Sequence, residues 1–125
     1  MIPKFRGWHN ELGRMMSIKN MWFQDGSVEE LKLNDAVMND YITAYPDEIE
    51  LMQSTGIFDK TNTEIFEGDI VRVLDSTYTV FYDNERGSYR LKPHDDRWNV
   101  DYMSNFSHGG NFEVVGNIYE NKEYL

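Results

Sequence analysis

The sequence contains no cysteine, only three histidines and no apolar run long enough to cross a membrane. Without cysteine the chain has no disulfide, no thiolate nucleophile and no cysteine-ligated zinc or iron–sulfur centre. A membrane-spanning helix needs about 20 consecutive apolar residues. The first residues also lack the apolar segment of a secretory signal. These absences predict a cytoplasmic protein that does not associate with a membrane.

Basic residues are also scarce, since 12 Lys and Arg stand against 22 Asp and Glu, for a net charge of −10. The imbalance is concentrated in residues 25–69, whereas residues 1–24 are slightly basic. Phosphate binding depends on cations, so the acidic charge disfavours nucleic acid as a partner. The basic start of the chain could instead dock on the acidic middle, within one chain or between two copies.

The remaining composition predicts a mainly β fold in one domain. A chain of 125 residues suits a single domain, and 40% hydrophobic residues can fill one core. Short β-branched and aromatic runs alternate with turn residues at intervals near ten residues, which is typical of a small barrel or sandwich. We predict a small SH3-like barrel over residues 51–125 and a β extension over residues 1–50. The barrel strands are expected near residues 64–66, 70–74, 78–82, 88–92 and 112–119.

Residues 27–45 carry two conflicting patterns. Ser27 and Glu30 have the spacing of a helix capping box, and the apolar residues that follow lie near helical spacing. Leu31 and Leu33, in contrast, alternate as they would in a strand. The balance favours a short helix or turn within the β context.

Four residues are expected to shape turns or close packing. Gly56 and Gly68 supply backbone angles that a side chain would oppose, and Asp69 can accept hydrogen bonds from nearby backbone N–H groups. Gly116 lies inside a strand, which indicates a bulge or a close backbone approach. The polar segment 59–63 has the composition of a loop whose side chains bond their own backbone.

No set of residues has the spacing of a catalytic or metal centre. The histidines lie far apart and form no H-E-x-x-H pattern. Two groupings of carboxylates could in principle hold a metal. The first is Glu64, Glu67 and Asp69, which lack the ligand spacing of an EF-hand. The second is His94 with Asp95 and Asp96, whose side chains would alternate between the two faces of a strand. We therefore predict no catalytic residue, no metal site and no cofactor, and a protein that is not an enzyme.

A nucleic-acid interface is the alternative function. Small barrels bind single strands by stacking bases on aromatic side chains while cations hold the phosphates. The matching residues here are Arg86, Tyr89, Arg90, Lys92 and Arg97. Tyr89 points away from Arg90 and Lys92 if the strand is regular, so an edge strand protected by charge also explains them.

Three segments together resemble the YopX-like family of phage and prophage proteins. The first is Lys4-Phe5-Arg6-Gly7-Trp8 and continues to Met15-Met16. The second, ELMQSTGIFDKTNTEIFEGDIVRV, spans residues 50–73, and the third, FEVVGNIYENKEYL, spans residues 112–125. The resemblance implies a compact β-rich fold, a phage or prophage origin and a bacterial host. It brings no catalytic residues, because the family has no assigned chemistry.

The sequence as a whole favours a non-catalytic protein-interaction module that binds a host or phage protein and could also self-associate. Tyr and Trp are enriched at interfaces because they bury a large area with few rotatable bonds. The candidate contact residues lie in the irregular segment 94–111 and are Trp98, Tyr102 and Phe106. The same three residues could instead cover the end of the barrel.

Overall fold

The computed structural model describes residues 4–95, 97, 99–103 and 111–125. Strands account for 61% of the described residues and helix is almost absent among them, which confirms the mainly β prediction. The strands are β1 (Phe5–His9), β2 (Arg14–Gln24), β3 (Ser27–Asp35), β4 (Asp40–Ala44), β5 (Ile49–Phe58), β6 (Glu64–Phe66), β7 (Asp69–Val73), β8 (Ser76–Asp83), β9 (Ser88–Pro93), β10 (Asp101–Tyr102) and β11 (Glu113–Asn117). Short 3-10 helices span Pro46–Glu48 and Lys122–Tyr124. No helix within the described ranges is long and apolar enough to span a membrane.

The first of two compact units comprises Met1–Gln53. Its antiparallel strands lie in the order β4-β3-β2-β1-β5. Alternate residues of these strands form its core, which consists of Met16, Leu31, Leu33, Ala44 and Ile49. At the end of β3 the buried Asp35 carboxylate accepts a hydrogen bond from Arg14 at 2.5 Å and another from the Val37 N–H. The Arg14 bond is the main reason that the pKa of Asp35 lies below its usual value.

The short helix considered for residues 27–45 is wrong, because most of this segment forms β3 and β4, and only residues 36–39 between them form a turn. Leu31 and Leu33 are 1% and 0% exposed, so their alternation places both side chains in the core. Leu31 lies between Met21 of β2 and Ala44 of β4. These pairings to two neighbouring strands override the local capping pattern, since propensity yields to tertiary packing.

The second unit comprises Ser54–Leu125. Its five-stranded antiparallel sheet has the order β10-β9-β8-β7-β11. The buried core consists of Ile65, Val71, Val73, Val80, Leu91, Met103 and Phe112. The strands observed in this unit lie within a few residues of the positions predicted from the alternation and turn signals.

The closed barrel predicted for this half is also wrong. β6 does not join the five-stranded sheet but pairs with the C-terminal half of β5. In the part of the chain that the structure describes, no pairing joins the two end strands β10 and β11, so the sheet remains open. β10 contains only two residues, which is too short to close a barrel. The SH3-like arrangement is therefore not confirmed.

Candidate functional site

Of the residues expected to shape turns, Gly68 lies in the turn between β6 and β7, whereas Gly56 lies within β5 at an irregularity in its pairing with β6. Gly56 and Gly68 adopt φ angles of 77° and 86°, which glycine tolerates without strain. The carbonyl of Gly68 accepts a hydrogen bond from the Ile118 N–H at 2.9 Å. Asp69 is 1% exposed, and its carboxylate accepts a hydrogen bond from the Phe66 N–H at 2.8 Å.

Gly116 lies at an irregularity in the pairing of β11 with β7. A Cβ atom at this position would overlap the Asn121 side chain. That side chain accepts a hydrogen bond from the Asn117 N–H at 3.1 Å, so it cannot move without losing a contact. Gly116 therefore allows the last turn of the chain to pack against β11.

A carboxylate in the segment that resembles the family most closely has a structural role. Asp59 is 6% exposed, and its Oδ1 accepts hydrogen bonds from the N–H groups of Thr61 and Thr63, both at 2.8 Å. Its Oδ2 accepts a third from the Val114 N–H at 2.9 Å. Burial acts to raise the pKa of Asp59, but these hydrogen bonds outweigh it and lower the pKa. The carboxylate fastens the 59–63 turn to β11.

The proposed metal-binding groupings are not assembled where the structure describes them. Within the described ranges no three His, Asp or Glu side chains converge on one point. Glu64 accepts a hydrogen bond from the Ser54 hydroxyl, and Asp69 is engaged with backbone. Asp96 lies outside the described residues, so the grouping of His94 with its two neighbours is seen only in part.

His94 lies beside an open polar cavity of about 490 Å³, lined also by Asp75, Ser76, Thr77, Asp95 and Arg97. Its ring nitrogens are hydrogen-bonded to the hydroxyls of Thr77 and Thr79 at 2.9 and 2.7 Å. Burial, and then the charge of Lys92, lowers the pKa of His94. Both ring nitrogens of His94 are thus engaged by threonine hydroxyls.

The cations of the predicted nucleic-acid interface are mostly paired with carboxylates. Arg86 and Arg90 both contact Asp83 Oδ2 at 3.1 Å. Burial acts to raise the pKa of Asp83, but its bonds to these arginines lower it overall. Arg97 makes several hydrogen bonds to Asp95, and they lower the pKa of Asp95 to about 2. Three of the four predicted cations therefore form ion pairs with neighbouring carboxylates.

The two other residues of that interface point in different directions. Tyr89 packs against the core of the second unit, and its hydroxyl donates to the Ser54 carbonyl at 3.4 Å. Burial, followed by the charge of Glu67, raises the pKa of Tyr89. Lys92 is exposed, and within the described residues no carboxylate forms an ion pair with it. Tyr89 therefore packs into the second unit, whereas Lys92 faces solvent.

Of the predicted protein-contact residues, only Tyr102 is described. Its half-buried ring lies under the Arg90 guanidinium, with 4.6 Å between Cζ and the ring centroid. Trp98 and Phe106 lie outside the described residues. The proposed grouping of three aromatic residues therefore stays a prediction.

The most exposed aromatic surface described lies elsewhere, at the tip of the β2–β3 hairpin. β1 pairs with β2 only as far as Ser17, and β4 pairs with β3 only as far as Leu31. Among the residues that the structure describes, residues 22–30, which we call the hairpin tip, therefore pair only with each other. Trp22 is 46% exposed and Phe23 is 61% exposed. Trp22 and Phe23 are consecutive residues of β2, so their side chains are exposed on opposite faces of this ribbon.

A second surface feature lies on the exposed face of the same sheet. The Nζ atoms of Lys19 and Lys32 lie 3.7 and 5.6 Å from the ring centroid of Tyr41. Neither lysine forms an ion pair with a carboxylate in the described part of the chain. We call these three residues the Lys–Tyr cluster. It is a small positive area on a strongly acidic chain.

The sequence contained a partial signal for the hairpin tip. Asp25-Gly26 is a typical two-residue hairpin turn, and both residues have positive φ angles. The turn indicated where β2 ends, but the exposure of Trp22 and Phe23 depends on how far the neighbouring strands extend. The Lys–Tyr cluster gave no local signal, because its residues come from three different strands.

These features define a small, mainly β protein made of two open antiparallel sheets, with exposed aromatic residues on a hairpin. The chain belongs to the YopX family, because residues 4–125 match the family described as YopX protein. This confirms the resemblance inferred from the three sequence segments. The structure is similar to the crystal structure of protein EF1440 from Enterococcus faecalis, with 26% identity, a TM-score of 0.67 and coverage of 100% of this chain and 99% of that one. No curated protein matches the chain significantly.

Proposed function

We propose that this YopX-family chain is a non-catalytic accessory protein of a phage or prophage, which binds another protein in the cytoplasm of its bacterial host. The observation that carries the proposal is the hairpin tip. Trp22 and Phe23 expose large apolar areas on a rigid ribbon, and such side chains dominate binding energy when a partner buries them. The acidic residues Asp25, Glu29 and Glu30 surround them and keep the free tip soluble.

Replacing both tip aromatics should remove partner binding without unfolding the protein. Exposed side chains contribute little to stability, so Trp22→Ser with Phe23→Ser should leave Tm nearly unchanged. Loss of two central anchors should lower the recovery of a partner from host lysate by about a hundredfold or more. The measurement is quantitative mass spectrometry of proteins retained by immobilised wild type and variant.

A matched control removes two other exposed apolar side chains from the same unit. Val37 and Met38 are 70% and 67% exposed, on the turn between β3 and β4. Val37→Ser with Met38→Ser should leave recovery unchanged. Equal recovery by the wild type and the tip variant would refute the proposal, as would equal losses in the tip and control variants.

The second candidate function is binding of single-stranded nucleic acid, and the Lys–Tyr cluster is the observation that favours it. Two unpaired ammonium groups can contact phosphates, while exposed aromatic rings can stack on bases. Because Arg86, Arg90 and Arg97 are paired with carboxylates, this cluster supports the candidate better than the residues predicted from sequence do.

Lys19→Gln with Lys32→Gln separates the two candidate functions. If the chain binds single strands, fluorescence anisotropy of a labelled oligo-dT should rise at low salt and fall as salt is added. The double variant should then weaken binding by about tenfold, whereas Lys122→Gln with Lys60→Gln should have a smaller effect. We expect no anisotropy change for the wild type, because the net charge of −10 opposes the approach of phosphates.

A further inference from the structure

Leu74 is unusual among the described residues both in its backbone and in its exposure. Four non-glycine residues have positive φ angles, and three are Asp25, Asn39 and Asn62, the types that tolerate this conformation. The fourth is Leu74, with a φ of 55° in the two-residue turn between β7 and β8. Its side chain is 89% exposed, so no packing within the described chain compensates for the strain. The two-residue turn requires this backbone angle, but it does not require a large apolar side chain at the position, and an exposed leucine there points to binding.

The surroundings of Leu74 add a positive charge to this apolar side chain. Leu74 lines a cavity of about 230 Å³ together with Lys60, Arg72, Asn111 and Glu113. The ammonium of Lys60 and the guanidinium of Arg72 lie 3.2 and 3.7 Å from the Glu113 carboxylate. These two cations share one anion, so the three side chains together carry one net positive charge, and the exposed Asp75 follows Leu74 in the turn. We call Leu74, Lys60, Arg72 and Glu113 the Leu74 site.

The hairpin tip has the complementary chemistry. It exposes Trp22 and Phe23, and it also carries Asp25, Glu29 and Glu30. None of these three carboxylates takes part in an ion pair among the residues that the structure describes. The Leu74 site thus combines an apolar side chain with positive charge, and the hairpin tip combines apolar side chains with negative charge. The two surfaces are complementary.

We propose that the Leu74 site binds the hairpin tip of a second copy of this chain. The inference rests on the proposed function, since it names a second copy as one partner of the hairpin tip. One aromatic side chain of the tip covers Leu74, and the carboxylates of the tip approach Lys60 and Arg72. The two surfaces differ, so the contact is heterologous. A pair of copies therefore still has one free hairpin tip and one free Leu74 site, and each can bind a further copy. Repetition of the contact gives a ring or an open chain of copies.

Leu74→Asn tests the site with two opposite readouts. Asn tolerates a positive φ angle, so the variant should unfold about 2–5 °C higher than the wild type. The same change removes the apolar contact and should weaken self-association about tenfold or more in sedimentation velocity at concentrations up to about 0.5 mM. If Leu74 had only a structural role, the Leu74→Asn variant would not combine a higher Tm with weaker self-association. The control Val37→Asn should change neither measurement.

Mixing two variants tests which surfaces meet. The tip variant Trp22→Ser with Phe23→Ser keeps an intact Leu74 site, and Leu74→Asn keeps an intact tip. Each variant alone should remain monomeric, but an equimolar mixture should form dimers that grow no further. The assembly of the wild type should also weaken as salt is added, because opposite charges meet at the contact.

Two results would overturn this inference. One is a wild type that stays monomeric at the highest concentration, and the other is a mixture that forms no dimer although the wild type associates. A monomeric wild type whose hairpin tip still captures a different protein would refute the second-copy partner alone. If the wild type is monomeric and its hairpin tip captures no other protein either, the proposed function is refuted as well.

Discussion

Asp59→Ala is expected to lower the free energy of unfolding by about 2–3 kcal/mol, because several hydrogen bonds disappear together. The carboxylate accepts backbone hydrogen bonds from Thr61, Thr63 and Val114 and a fourth bond from the Thr61 hydroxyl. The Val114 N–H belongs to a residue 55 positions away, so the 59–63 turn and β11 lose a direct link. Urea unfolding followed by circular dichroism measures the change.

Two further variants separate the hydrogen bonds of Asp59 from its charge. Asp59→Asn keeps one acceptor oxygen but cannot serve Thr61 and Val114 at the same time, so its effect should be intermediate. Asp75→Asn removes the same charge from an exposed position and should leave the stability nearly unchanged. Equal stabilities of Asp59→Ala and Asp75→Asn would contradict the structural role of Asp59.

The pH dependence of the same variant follows from the direction of the pKa shift. Hydrogen bonds lower the pKa of folded Asp59, so its stabilising effect is present above the unfolded value of about 3.9 and is lost as pH falls through the lower folded value. The difference in stability between wild type and Asp59→Ala should therefore shrink below about pH 4. A difference that grows in acid would contradict the assigned shift.

The strands of the second half could be predicted from sequence because their signals are local. Alternation along β7 and β9, with turn residues at their ends, places the strands without knowledge of their partners. Sheet closure is not local, since it depends on which distant strands pair. β1 pairs with β5, about 40 residues further along the chain, and β6 pairs with β5 rather than with β7. The barrel prediction was wrong for that reason.

The candidate surfaces were harder to predict than the strands, because charge along a sequence does not reveal ion pairing. Arg86 and Arg90 looked like phosphate ligands until the structure placed Asp83 against both. The exposure of Trp22 and Phe23 likewise follows from neighbouring strands that stop early. Each property belongs to contacts between segments, and a local pattern does not record such contacts.

The segment that carried most of the family resemblance has a structural role wherever its contacts are clear. Asp59 holds a turn to β11, Gly68 adopts a left-handed backbone angle, and Asp69 fixes the Phe66 amide. Residues that define the fold in this way explain why the resemblance predicted a β-rich protein but no chemistry. The hairpin tip lies outside the three segments that carried the resemblance in the sequence, although the family match spans residues 4–125.

Phe112→Ala should lower the free energy of unfolding by about 4 kcal/mol, since it removes a large side chain from a close-packed core. Phe112 is 0% exposed, and its carbonyl also accepts a hydrogen bond from the Lys60 N–H. Leu33→Ala is the matched change in the core of the first unit, and Leu33 is likewise 0% exposed. The measurement for both variants is chemical denaturation.

Hydrogen exchange in these two variants also tests our proposal that the chain folds as one domain. If Met1–Gln53 and Ser54–Leu125 unfold together, Phe112→Ala should speed the slowest amides of β3 as much as those of β8. Leu33→Ala, in the first unit, should likewise speed the slowest amides of β8 as much as those of β3. If each variant instead speeds exchange only in its own unit, the two units unfold separately. The hairpin tip could then be lost by local unfolding while the Leu74 site stays intact.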